Sequence, residues 1–260
     1  MDTLADKTVL ITGGSSGIGF EMAKRMAALR AKVVVCGRSE EKLREAKRLA
    51  PELSILRCDV AAAEDRRTLL NGIVARFGRL DLLVNNAGIG MRYLMEKTGD
   101  LEARVVEEWR TNFLAPLLLS QEFLPLLEKN SGMVANVGSG LAYVPLSVEP
   151  SYCASKAALH SMTRSMRLRY SKRGVKVAEI FYPAVDTPFQ RGHAPANAMA
   201  PEEAAALAVK GLLSGKPEIH VGRAGFMRAM SRFMPEKALR IINGFIPADV
   251  EGILAREERG

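Results

Sequence analysis

Histidine and cysteine are scarce in this 260-residue chain, with three of each. Cys36, Cys58 and Cys153 are scattered and odd in number, so neither a disulfide framework nor a zinc-ligand pair is expected, and the usage fits a reducing cytoplasm. With no His/Cys/carboxylate cluster, no structural or catalytic metal is predicted. Long apolar runs are missing too. The candidate from Phe113 to Leu127 is interrupted by Pro116, Ser120, Gln121 and Glu122 and is too short to span a bilayer, so it reads as a buried helix and no transmembrane segment is expected. The opening "MDTLADKTVLITGG" lacks a basic segment followed by an apolar one, and nothing in it suggests export. There is no low-complexity tract, internal repeat or linker, which leaves one domain over 1–260 as the expectation.

What is present is an ordinary globular balance, 48% hydrophobic and 25% charged. The net charge of +8 raises nucleic acid or an anionic membrane as a partner. Much of the excess lies in Arg164, Arg167, Arg169, Lys172, Arg173, Lys176 and Arg191, against Glu179 and Asp186. These residues alternate with apolar ones and no nucleic-acid motif surrounds them, so they read as a solvated helix face or a field for an anionic ligand, and no nucleic-acid partner is expected.

Strand-like runs alternate with helical periodicity along most of the chain. "TVLIT" (8–12), "KVVVCG" (32–37), "LSILRCDV" (53–60), "LDLLVNNAG" (80–88), "GMVANVGS" (132–139), "VKVAEIFYPA" (175–184) and "EIHVG" (218–222) predict about seven strands. Helices are predicted over 17–29, 40–49, 64–77, a long one over 102–128, 150–173 and 201–213. Strand, helix, strand in succession implies an α/β fold, a Rossmann-like doubly wound parallel sheet in a three-layer α/β/α sandwich. Thr187 to Met199 is left as a loop, either a cover for substrate or a plain connector.

After the first strand comes "TGGSSGIG" (12–19). Gly13, Gly17 and Gly19 let the chain turn tightly, bring backbone N–H groups near a pyrophosphate and pack the next helix on the sheet; Ser15, Ser16 and Ile18 complete the loop. The second strand ends "VVVCGRS" without the acid that would hold the ribose hydroxyls of NAD. Arg38 instead offers a forked cation to a 2′-phosphate, with the Ser39 hydroxyl beside it, so NADP(H) is the preferred cofactor and NAD(H) the alternative. In "PSYCASKAAL" (150–159), Tyr152 and Lys156 stand one helical turn apart, where an ammonium can ease deprotonation of a phenol.

These pieces together resemble the short-chain dehydrogenase/reductases, over nearly the whole chain to about Gly222. The resemblance rests on an ordered set: "TGGSSGIG", "DV" (59–60), "NNAG" (85–88), Asn112 in "TNFLAP", Ser139 thirteen residues before the tyrosine, and "YCASK" (152–156). It implies that Tyr152 gives a proton to a carbonyl oxygen, or takes one from the alcohol, while Lys156 lowers the phenol's pKa and binds the nicotinamide ribose. Ser139 would bind the substrate oxygen, and Asn112 would hold through its backbone a water linking Lys156 to solvent. Asp59 and Val60 would contact adenine; Asn86, Ala87 and Gly88 would line the adenosine side; Pro183, Val185 and Thr187 would face the carboxamide. The chain departs from the family at "YPAVDTP", with Ala184 where glycine is usual, and Gly138 precedes Ser139 where a second serine is frequent.

The implied activity is NADPH-dependent reduction of a ketone or aldehyde, or the reverse oxidation. A 3-ketosphinganine-like lipid ketone and a 3-oxoacyl-carrier-protein are the specific alternatives, the second through docking at Arg167 and Arg173. A non-catalytic NADP-binding sensor or scaffold is the competing class. In the family the long helices around Asn112 and Tyr152 pair between subunits, so a homodimer or homotetramer is expected. His160 reads as helix packing, His193 as a loop residue within reach of substrate, and His220 as a strand residue. The tail over 222–245 carries Phe226, Met227, Met230, Phe233 and Met234 between arginines, a stripe suited to core or subunit packing, to sheltering an apolar substrate, or to a membrane surface.

Overall fold

Strand β1 (Thr8–Thr12) is buried at every position, the pattern of a strand covered on both faces. In the computed structural model, which describes residues 3–190, 192–246, 250 and 254, it pairs in parallel with β2 (Lys32–Gly37) and β4 (Leu82–Asn85). With β3 (Ser54–Arg57), β5 (Met133–Ser139), β6 (Lys176–Tyr182) and β7 (Glu218–His220) they form one seven-stranded sheet in the order β3-β2-β1-β4-β5-β6-β7. The order turns back between β1 and β4, which opens a crevice at the carboxyl ends of the strands. The sheet's two faces carry separate cores. Val9 and Ile11 face α1 (Gly17–Ala28), α2 (Glu40–Leu49) and α8 (Pro201–Leu213), while Leu10 faces α3 (Ala63–Phe77), α5 (Ala115–Glu122), α6 (Leu124–Lys129) and α7 (Pro150–Ser171). That alternation is the period of two expected of a pleated strand.

The predicted helix over 102–128 is divided. α4 (Leu101–Trp109) runs into a π-helical turn at Arg110–Leu114, followed by α5 and α6, each with a proline in its first turn. Proline has no N–H to give, so Pro116 cannot donate to the carbonyl four residues back, that of Asn112, and the helix widens there. The strand predicted over 53–60 stops at Arg57, because Asp59 turns the chain: its Oδ1 accepts from Ala61 N at 3.0 Å. Likewise β4 ends at Asn85, so Asn86–Gly88 form the loop beyond it.

Among the described residues, α9 (Ala224–Phe233) and α10 (Pro235–Asn243) follow β7. The apolar stripe of the tail does not act as one unit: Met230 and Ala238 pack with Val144 in a small third core, whereas Phe226 and Phe233 are exposed. Arg191 of the basic stretch and most of the chain past 246 lie outside the described residues. Among the described residues no helix is long and apolar enough to cross a membrane.

Candidate active site

One cavity of about 1100 Å³ follows the carboxyl edge of the sheet and gathers most of the residues singled out in the sequence. At one end lies the glycine loop. Gly13 adopts φ +63°, and a Cβ there would come within 2.8 Å of Ala87 Cα; a Cβ on Gly19 would meet Asn86 Nδ2 at 2.4 Å. Asn86 Nδ2 donates to the carbonyls of Thr12 (2.9 Å) and Gly13 (3.1 Å). Thr12 Oγ1 in turn accepts from the N–H groups of Asn86 and Ala87, both at 3.0 Å. The loops after β1 and β4 are thus locked together. Helix α1 begins here with no side-chain cap and no acid in its first turn, so its positive end is open to the cavity beside Ser15, Ser16, Gly17, Ile18 and Gly19. These residues fit the pyrophosphate of a dinucleotide.

At the end of β2 the Arg38 side chain is 59% exposed, with Nη1 3.8 Å from Glu107 Oε1, a distance that leaves the guanidinium open to a better anion. Ser39 is already engaged: it caps α2, its hydroxyl accepting from Lys42 N at 3.2 Å. Lys42 lines the cavity beside Arg38, a second cation that the sequence reading passed over. Asp59 and Val60 line the same end.

Ser139 closes β5, and α7, started by Pro150, brings Tyr152 and Lys156 to the cavity wall. Lys156 Nζ donates to Val137 O at 2.8 Å and stands 5.8 Å from the centre of the Tyr152 ring. Burial lowers the Lys156 ammonium to about 8, against the pull of Glu179. Burial also holds the Tyr152 phenol above its ordinary value, helped by the Glu149 carboxylate and opposed by the Ser139 hydroxyl. Burial thus opposes the lowering of the phenol that the family resemblance implies. Asn112 does not line the cavity; it is fully buried, its Oδ1 accepting from Ile89 N (2.9 Å) and its Nδ2 donating to Ile89 O (2.8 Å) and Ser155 Oγ (3.2 Å). Its side chain therefore fixes the segment after Gly88, and its carbonyl is the one Pro116 cannot reach.

Pro183, Val185 and Thr187 line the cavity, and Ala184 keeps the backbone in register: its carbonyl accepts from Met199 N at 3.0 Å, and Asp186 N donates to Met199 O at 2.9 Å. The loop from Thr187 to Met199 is thus tied at both ends, and its Phe189 ring lies 5.6 Å from that of Tyr152. The far wall is apolar, formed by Val144, Leu146, Met227, Met230, Ile242 and Phe245.

Several polar contacts near the site have no signature in the sequence. Arg92 Nε bonds Glu149 Oε1 at 2.8 Å on the cavity wall. Glu108, fully buried, accepts from Met91 N at 2.7 Å, and burial raises its carboxyl to about 7. Glu179 is fully buried on β6 with Oε2 2.8 Å from His160 Nδ1, so His160 is a hydrogen-bond partner as well as a packing residue. His220 Nε2 lies 3.1 Å from the Tyr143 hydroxyl. Of the basic patch, Arg167 is held by the carbonyls of Val177 (3.1 Å) and Pro217 (2.8 Å), and Arg173 by Glu128.

Comparison with known proteins agrees with this geometry. The family profile described as short chain dehydrogenase matches residues 7–198. DltE of Bacillus subtilis, named an uncharacterized oxidoreductase, is 39% identical over 236 residues, covering 88% of this chain and 93% of the relative. A short chain dehydrogenase from Burkholderia cenocepacia, crystallised in complex with NADP, is 25% identical with a TM-score of 0.82, over 92% of this chain and 98% of that one. A short chain dehydrogenase/reductase from Burkholderia phymatum in complex with NAD has the same fold, with a TM-score of 0.82 at 19% identity over 91% and 95% of the two chains.

Proposed function

This chain belongs to the short-chain dehydrogenase/reductase family and is an NAD(P)-dependent oxidoreductase, and on that premise we propose that it uses NADPH to reduce an apolar ketone or aldehyde, or oxidises the matching alcohol. The observation that carries the substrate class is the shape of the cavity, which continues from the glycine loop past Ser139, Tyr152 and Lys156 into the apolar wall of Met227, Met230, Ile242 and Phe245. Arg38 and Lys42, with no acid at the end of β2, support a 2′-phosphate on the cofactor.

The bound nicotinamide supplies the hydride; the protein's own residues handle the proton. The substrate carbonyl lies against the hydroxyls of Ser139 and Tyr152. As negative charge grows on its oxygen, Ser139 donates a hydrogen bond and Tyr152 gives up its proton, so the carbonyl leaves as an alcohol. The Lys156 ammonium stabilises the phenolate that remains, and a water on the Asn112 carbonyl returns a proton by way of Lys156. Phe189, over the Tyr152 ring, keeps bulk water from the reacting oxygen.

The apolar wall favours a long-chain ketone over a carrier-bound substrate, since Arg167 and Arg173 are held within the chain. Leu168 of α7, 73% exposed, with Val106 and Leu114 of the facing helices, supports pairing of two copies there. Titration with NADPH and NADH, followed by nicotinamide fluorescence, tests the reading. NADPH is expected to bind tighter, and Arg38→Glu to remove that preference; failure to bind either nucleotide would contradict the proposal.

A further inference from the structure

We infer that helices α9 and α10 form a docking surface for an anionic lipid membrane, through which an apolar substrate enters the cavity. The route rests on the proposed reduction of an apolar carbonyl; the docking surface does not. Phe226 and Phe233 stand seven residues apart, two turns along one face of α9, and are 65% and 76% exposed. Met234 precedes α10, and Ile241 and Phe245 continue the strip across it at 46%, 42% and 67% exposure. Five large apolar side chains turned to water on two adjoining helices and the residues that flank α10 are more than scattered surface residues.

The strip is continuous with the site. Phe226, Ile241 and Phe245 are exposed and also line the cavity, in which Met227, Met230 and Ile242 form the deeper wall. An apolar chain leaving a bilayer at this rim would pass to Tyr152 without crossing water.

Charge selects the kind of surface. Residues 223–243 hold Arg223, Arg228, Arg232, Lys237 and Arg240 against the single acid Glu236. Arg228 is turned back to Glu218 at 3.2 Å, but Arg223, Arg232 and Lys237 are exposed and make no ion pair among the described residues. Lys237 lies one turn before Ile241 on α10, so cation and apolar side chain border each other as in helices that lie in a headgroup layer. An anionic leaflet meets both features at once, whereas a second copy of the chain would bring its own cations to the same place.

Co-sedimentation of the intact protein with phosphatidylcholine vesicles, with and without phosphatidylglycerol, tests this in the absence of cofactor and substrate. Binding is expected only to the anionic vesicles, and Arg232→Glu combined with Lys237→Glu should weaken it by about tenfold or more. Phe233→Asp with Met234→Asp, neither of which lines the cavity, should also abolish binding while leaving reduction of a short soluble ketone unchanged. Absence of binding to anionic vesicles, or binding untouched by these substitutions, would overturn the proposal. So would light scattering that shows a dimer broken by Phe233→Asp, since the strip would then belong to a second copy. A protein that binds vesicles but reduces no carbonyl would sink the catalytic reading and leave the docking surface standing.

Discussion

The ring of Phe189 stands 5.6 Å from that of Tyr152 at a tilt of 52°, so the loop after β6 covers the tyrosine that the proposed chemistry needs. A Cβ on Gly90 would come within 2.8 Å of the same phenyl ring, so the glycine leaves room for it there. Phe189→Ala should therefore open the reacting end of the cavity to water. An aromatic contact of this kind contributes roughly 0.5–1.5 kcal/mol, so KM for an apolar ketone is expected to rise about tenfold at most, with unchanged NADPH affinity. Steady-state kinetics beside a nucleotide titration checks both parts.

Lys156 gives a prediction with a definite sign. Its folded pKa, about 8, lies below the ordinary 10.5, so between these values the unfolded chain binds more protons and stability rises with pH. Below pH 8 the buried ammonium is a full cost to the fold. Lys156→Met should accordingly raise Tm at pH 7 and lose that advantage near pH 11, while lowering kcat by about a hundredfold or more. In the unaltered enzyme, reduction should decline as pH rises through 8. Thermal melts and a pH–rate profile test the two halves.

Glu108 has the opposite titration. Its folded pKa, about 7, lies above the usual 4.5, so relative stability is present below pH 4.5 and is lost as pH rises through 7. Glu108→Gln retains an acceptor for Met91 N and removes the charge. Its Tm should exceed that of the parent at pH 8 and equal it near pH 4.

Thr12 opens the glycine motif, and its hydroxyl joins two loops by accepting from Asn86 N and Ala87 N. Thr12→Val leaves Ala87 N without a partner, at a cost of about 1–3 kcal/mol, while Asn86 N keeps the Val84 carbonyl at 3.1 Å. Urea unfolding should show the loss, and NADPH binding should weaken with it.

The strand order and helix alternation were legible because apolar runs such as "TVLIT" and "KVVVCG" are buried at nearly every position, and the glycine loop and Tyr152–Lys156 pair carry their meaning in local spacing. What escaped is long-range. Glu179 meets His160 across nineteen residues, and Arg92 meets Glu149 across fifty-seven, pairings that no local period announces. The break in the predicted helix over 102–128 was announced by Pro116, which the apolar periodicity around it concealed. Ser39 has a second role beside its place in the cavity wall: its hydroxyl caps α2 by accepting from Lys42 N, as a serine before two glutamates commonly does, and its O–H can still donate.

The most direct test of the account is NADPH oxidation, followed by absorbance, with straight-chain ketones of increasing length and with Tyr152→Phe as the comparison. We predict that kcat/KM rises with chain length as the apolar wall is filled, and that Tyr152→Phe removes turnover without weakening NADPH binding. Turnover that survives Tyr152→Phe, or a rate indifferent to chain length, would contradict it.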